Sequence, residues 1–379
     1  MKMKYNIPLI GALLLFAACS TDDGTTGNGS AEELPIILRS NVSQETSVPR
    51  RSTETGATHL TTQGTNQVLA TGLDVDLFLD ENVRTGTTAT YTGQKFYLKT
   101  TAASGSDAQG VGNFNFYTEE TRTNLVTRYW PPSGNGLYFF AYYPAGAISA
   151  PVAHTTTTAQ TFTVAADQGT ASASNAYDLM FGTPNGNPIG TAATNPVARP
   201  TATTMAASAV NLNFKHCLSK VAVIIKGDGN GLTEAGVDQY GVNQFDEATV
   251  TLGTATTDEL YLQANVTPNS GAATAKTDGT KGVYTIKAST EASLTNYCIL
   301  PPQMLTGKKI NLTLKNGGTK SFTIPQEDTD ADSTPDTDVT AEPGKVYTYT
   351  VTVGLYSISV TATVGDWTDV TVTGGSLKY

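Results

Sequence analysis

The side chains able to do chemistry are few in this 379-residue chain: three histidines, three cysteines and one dense run of carboxylates. His59 stands in a polar stretch and His154 opens a patch with four consecutive threonines. His216 lies between Phe214 and Leu218 on the inward phase of an alternating run. No serine or cysteine motif accompanies it, so a core histidine with both ring nitrogens hydrogen-bonded is expected. The carboxylate run begins at Glu327. Asp328, Asp330, Asp332 and Asp336 mimic positions 1, 3, 5 and 9 of a calcium loop, but Ser333 and Val339 stand where the sharp turn needs glycine and the ion needs a bidentate carboxylate. A solvated acidic loop is the better reading, and no metal site is expected. His-Glu-x-x-His, Gly-x-Ser-x-Gly, Walker and Gly-x-Gly-x-x-Gly patterns are absent. Two glycosidase carboxylates can converge from anywhere, yet no spacing supports them. The chain is read as no enzyme, with no cofactor.

The elements that would position these groups are strands. Glycine (36) and proline (17) punctuate a threonine-rich chain whose β-branched side chains suit a pleated sheet. Only 15% of residues are charged while 39% are apolar, so the chain has enough apolar surface to fold. A net charge of −10 argues against nucleic acid as partner, because phosphates need lysine and arginine to displace their counterions. In one run from Val68 to Leu79, Leu73, Val75, Leu77 and Leu79 alternate with Gly72, Asp74, Asp76 and Phe78, which predicts one face on a core and the other toward solvent. Similar runs occur at 95–99, 113–117, 137–143 and 210–218, and then through the second half to 356–364. Asn316-Gly317 predicts a two-residue hairpin. The aromatic stretch Tyr129-Trp130 with Leu137 to Tyr143 has the residues of a sugar-stacking platform, but a sandwich core is favoured. The result is an all-β chain of two tandem β-sandwiches, of transthyretin-like or Greek-key type, over 52–226 and 227–379.

Residues 1–18 read as a leader. Lys2 and Lys4 precede the apolar stretch 7–18, too short for a span of about 20 residues, and Ala17-Ala18-Cys19 resembles a lipoprotein cleavage box. Cys19 is expected to carry the lipid. Residues 19–51 form a Gly/Ser-rich tether, a short strand with Ile36, Ile37, Leu38 and Val42, and a polar segment ending in Arg50 and Arg51, with Ser52 just beyond. Cys217 and Cys298 remain as thiols, expected free, although export permits a disulfide.

Taken in order, Cys19, the first strand, Arg50-Arg51, Trp130 with Phe139-Phe140-Ala141-Tyr142-Tyr143-Pro144, Tyr177-Asp178-Leu179-Met180-Phe181-Gly182, residues 214–220, Gly344-Lys345-Val346-Tyr347 and Asp366-Trp367 resemble the fimbrillin family. These are the type V pilus subunits of Bacteroidales. The resemblance implies a precursor held at the outer membrane by its lipid and cut after an arginine by an arginine-specific protease. Loss of the first strand then opens a groove that a neighbour's C-terminal strand fills. Here the processing site would be Arg50, Arg51 and Ser52, and the donor residues Val370 and Val372, or Val360 and Val364. The implied partners are copies of itself, tip and anchor subunits, and surface glycans or proteins gripped by the assembled pilus. The implied location is the cell surface, in a fimbria. A tip or anchor adhesin, or a glycan-binding surface lipoprotein, is the alternative. Cys19→Ala is expected to abolish incorporation of labelled palmitate and to leave precursor unprocessed; equal labelling of the variant would contradict the lipid anchor.

Overall fold

The computed structural model describes residues 33–42, 59–63, 66–101, 112–169, 176–184, 186–201, 209–287, 297–327, 337–354 and 358–366. Among them are twenty-four strands and no helix. The first twelve are β1 (Leu38–Val42), β2 (Leu60–Gln63), β3 (Asn66–Leu69), β4 (Asp74–Glu81), β5 (Thr92–Thr101), β6 (Gly112–Tyr117), β7 (Leu125–Val126), β8 (Leu137–Tyr143), β9 (Gln160–Thr163), β10 (Asp167–Gln168), β11 (Met180–Thr183) and β12 (Val210–His216). There follow β13 (Ser219–Gly227), β14 (Thr249–Leu252), β15 (Leu260–Tyr261), β16 (Gln263–Thr267), β17 (Ala272–Ala275), β18 (Lys281–Gly282), β19 (Tyr284–Lys287), β20 (Tyr297–Leu300), β21 (Lys309–Thr313), β22 (Thr319–Thr323), β23 (Lys345–Val353) and β24 (Ile358–Asp366).

Ten strands form one sheet in the order β2-β3-β1-β12-β11-β8-β4-β5-β6-β7, and β1 additionally pairs with β6, so the sheet curls round onto itself. The later strands build a sheet β10-β19-β14-β21-β22 and another, β20-β13-β23-β24. The expectation of an all-β chain therefore holds. The passage from the large sheet to the later ones falls between His216 and Ser219, because β12 pairs with β11 whereas β13 pairs with β20 and β23. The two halves also interlock. β9 pairs with β16, β10 pairs with β19, and the Gln168 amide clamps Ile299 through its N–H and its carbonyl at 2.9 and 2.8 Å.

Burial explains why the centre of the large sheet reads as it does. All seven residues of β8 are buried. Phe139, Ala141 and Tyr143 enter one core with Leu77, Leu79 and Met180, while Tyr138, Phe140 and Tyr142 enter a second core shared with Val221, Val250, Tyr284 and Tyr349 of the later strands. The aromatic run is core, as expected, because a strand covered on both faces needs apolar side chains at odd and even positions alike.

The same covering corrects the expectation for residues 72–79. Phe78 is fully buried and Asp76 nearly so, because the face expected toward solvent lies against other chain. The run is also broken: β3 ends at Leu69 and β4 begins at Asp74, separated by a turn in which Gly72 adopts φ +88°. The hairpin at Asn316-Gly317 is a five-residue loop instead of a two-residue one. Only Gly317 takes positive φ, while the Asn316 side chain accepts the Gly318 N–H at 2.9 Å, a local bond that competes with the tighter turn.

Asp76 is buried as one half of an ion pair. Arg122 Nη2 lies 2.7 Å from its Oδ1, and Lys95 Nζ and the Gly146 N–H meet Oδ2 at 2.8 and 2.7 Å. The guanidinium also donates to the carbonyls of Leu98 and Val75. Removing one partner of a buried pair strands the other charge, at about 3–5 kcal/mol, whereas Lys95, which still reaches solvent, is partly screened and worth about 1 kcal/mol. Arg122→Ala is therefore expected to lower the urea midpoint far more than Lys95→Ala, measured by tryptophan fluorescence.

Candidate functional site: the strand that closes the large sheet

Residues 34–42 carry their even-numbered side chains inward. Leu34, Ile36, Leu38, Ser40 and Val42 are 0–5% exposed, while Ile37 turns outward at 42%. The period of two is that of an extended chain with one face on a core. The four apolar members share that core with Leu69, Phe96, Phe114, Trp130 and Phe214. Fully burying each is worth about 1.5–3 kcal/mol.

The backbone of this segment is held on both edges. Near its start, Ile36 N–H donates to the Arg128 carbonyl at 2.7 Å and Trp130 N–H to the Leu34 carbonyl at 2.8 Å. Further along, β1 runs parallel to β12 from Leu38 opposite Val210 to Val42 opposite Phe214. Its other edge meets β6 at Arg39–Asn113 and Ser40–Gly112, and β3 at Val42–Gln67. β1 is thus a closing strand: taking it out would open β12, β6 and β3 together and uncover a row of apolar sites. Leu34 and Ser40 were missing from the site set read in the sequence, although the alternation through Ile36 and Leu38 places them on the same face.

Of the other residues read as sites, Cys19, Arg50, Arg51, Ser52, Val370 and Val372 lie outside the described residues. Val360 and Val364 are on β24, opposite Val351 and Tyr347 of β23, and Val364 packs against the core of the later strands. Residues 328–336 of the acidic loop are also outside the described residues. Cys217 and Cys298 are free thiols, fully buried, and burial pushes both well above the usual thiol range, so neither is poised as a nucleophile.

The histidines are structural in arrangement. His59, expected in a polar loop, is 3% exposed, stacks on Tyr143 with ring centroids 5.5 Å apart, and places Nε2 at 2.6 Å from Asp178 Oδ2. His216 Nδ1 lies 2.8 Å from Asp178 Oδ1. One buried carboxylate thereby ties the start of β2 to the end of β12. Burial opposes its charge, but the charge and hydrogen bond of His216, then those of His59, hold the Asp178 carboxyl well below the usual carboxylate range. Glu81 shows the same contest. Burial raises it, and the hydrogen bonds from Ser133, Thr90, Asn135 and Tyr91 outweigh that and lower it.

Both folded carboxyls lie below their unfolded values, so the stability they contribute is complete above those unfolded values, at about pH 4–5, and is lost as pH falls through the folded values. Asp178→Asn is expected to remove about 3–5 kcal/mol at neutral pH and to flatten the loss of stability below pH 4. Thermal denaturation followed from pH 7 to pH 3 checks both.

The profile of the fimbrillin-like family matches residues 65–367. No curated protein matches the chain. Among solved structures, a protein assigned to cell adhesion from Bacteroides uniformis is 18% identical, with 88% of this chain and 98% of that one covered at a TM-score of 0.52. A protein assigned to the same role from Bacteroides ovatus is also 18% identical, covering 89% and 98% at a TM-score of 0.53. At that identity the two speak for a shared fold. The family match takes in every buried member of both cores except Leu34, Ile36, Leu38 and Val42, and with it the chain belongs to the fimbrillin-like family of extracellular, non-enzymatic fimbrial subunits.

Proposed function

We propose that this protein is a fimbrial subunit exported as a lipoprotein on Cys19, cut after Arg50 or Arg51, and polymerised by strand exchange. The observation that carries the reading is the closing position of β1: residues 34–42 are hydrogen-bonded along both edges and bury alternate side chains, yet they precede the arginines. A cut at Arg50-Arg51 turns that strand into a separate peptide whose departure exposes unpaired backbone groups and apolar sites. Both are costly, and an incoming strand relieves both at once. The donor is the C-terminal strand of a second copy, through Val370 and Val372 or through Val360 and Val364. Tip and anchor subunits would join the same way. Within this reading the chain comprises two tandem sandwiches, 52–226 and 227–379, with β9, β10 and β13 of the first pairing with strands of the second.

Assembly should then require both the cut and a complete C-terminus. The full chain treated with a trypsin-like protease is expected to grow in light scattering, while Arg50→Ala/Arg51→Ala and a truncation ending at Asp366 stay monomeric. Growth of both variants at the parent's rate would contradict strand exchange and favour a surface adhesin that acts without polymerising.

A further inference from the structure

The inward row of the closing strand has one misfit. Leu34, Ile36, Leu38 and Val42 are apolar, but the fourth position is Ser40, fully buried between Leu38 and Val42 with its hydroxyl without a hydrogen-bond partner. Its neighbour Asn41 donates to Asn213 Oδ1 at 3.1 Å but leaves its own side-chain carbonyl oxygen without a partner in a buried setting. Across the strands, Ser40 faces Leu212 on β12 and Gly112 on β6. Gly112 carries no side chain, and Leu212 on the other flank is fully buried.

A buried hydroxyl without a partner weakens whatever segment carries it, because it gives up water and gains nothing in return. From this we infer that Ser40 is a built-in weak position of the closing strand, and that its place is a selective site for a β-branched apolar side chain on the replacing strand. The inference rests on the strand-exchange reading and names the feature that gives exchange its direction. The occupant is a second copy, whose Val370-Thr371-Val372 offers a valine at the required period of two with a polar residue facing outward between. The resident strand holds the precursor closed while it is covalently attached. Once it is cut, a strand with valine in place of serine binds the same groove more tightly.

Peptides of residues 34–42 test this directly, added to the full chain as it is cut by a trypsin-like protease, with assembly followed by light scattering. The Ser40→Val peptide is expected to block assembly at roughly a tenth of the concentration the parent peptide needs, a factor equivalent to about 1.4 kcal/mol. A peptide with Ile37→Thr, at the outward position, is expected to match the parent. In the full chain, Ser40→Val should slow assembly after the cut by about tenfold. Ser40→Ala, which removes the hydroxyl without adding bulk, should slow it in the same direction. Equal potency of the serine and valine peptides, or equal rates for the Ser40 variants and parent, would overturn the role of Ser40 while leaving exchange itself intact. A cut chain that assembles with its own residues 34–42 still bound, seen by mass spectrometry of the washed polymer, would overturn exchange and this inference together.

Discussion

A buried backbone group needs a hydrogen-bond partner, and in this protein that demand meets its sharpest form along β1. The facing edges of β12 and of β6 with β3 are satisfied through one short strand, and the same strand fills the core with Leu34, Ile36, Leu38 and Val42. A sheet of ten strands ordinarily leaves two edges exposed to further pairing. Here the large sheet curls round until β1 meets β6, so one segment settles whether the structure is closed or open to a new strand. In the proposed exchange, the point of control is the first ten described residues, ahead of nearly everything they pair with.

What surrounds β1 is tied together by contacts that do not pass through it. β8 is buried on both faces, so the core against β1 and the core of the later strands share a wall of aromatic side chains. Tyr142 reaches through to the Pro268 carbonyl at 2.5 Å, and Gln168 clamps Ile299. The Arg122–Asp76 pair and the Asp178–histidine group fix strand ends from within. The proposed exchange requires a frame that keeps its shape when one strand leaves, and these ties are its candidates. His59 and His216, which first suggest chemistry, are spent on holding that frame through Asp178.

Much of this was legible in the residues. Period-two alternation located most strands, β12 among them, whereas the first strand was read with Ile36, Ile37, Leu38 and Val42 together and no face assigned to any of them. The failures share a cause: the sequence carries local periodicity but not what covers the second face. Asp76 and Phe78 read as solvent-facing until Arg122 and the second core are seen against them. His59 read as a loop residue because its partner, Asp178, is 119 residues away. Ser40 was passed over because serine at one position of an apolar strand carries no signal until Gly112 and Leu212 are known to flank it. Closure of the sheet joins residues 38–42 in parallel to 210–214, a pairing for which no nearby turn supplies a cue.

The central claim is that the place of β1 between β12 and β6 is filled, in the assembled fibre, by another copy. A cryo-electron microscopy map of the fibre at side-chain resolution reads this without any variant. The account predicts that residues 34–42 are missing from each subunit and that a strand from the neighbouring subunit's C-terminal segment lies parallel or antiparallel to β12, with a valine where Ser40 had been. A map showing each subunit's own Leu38–Val42 still paired with Val210 to Phe214 would contradict it.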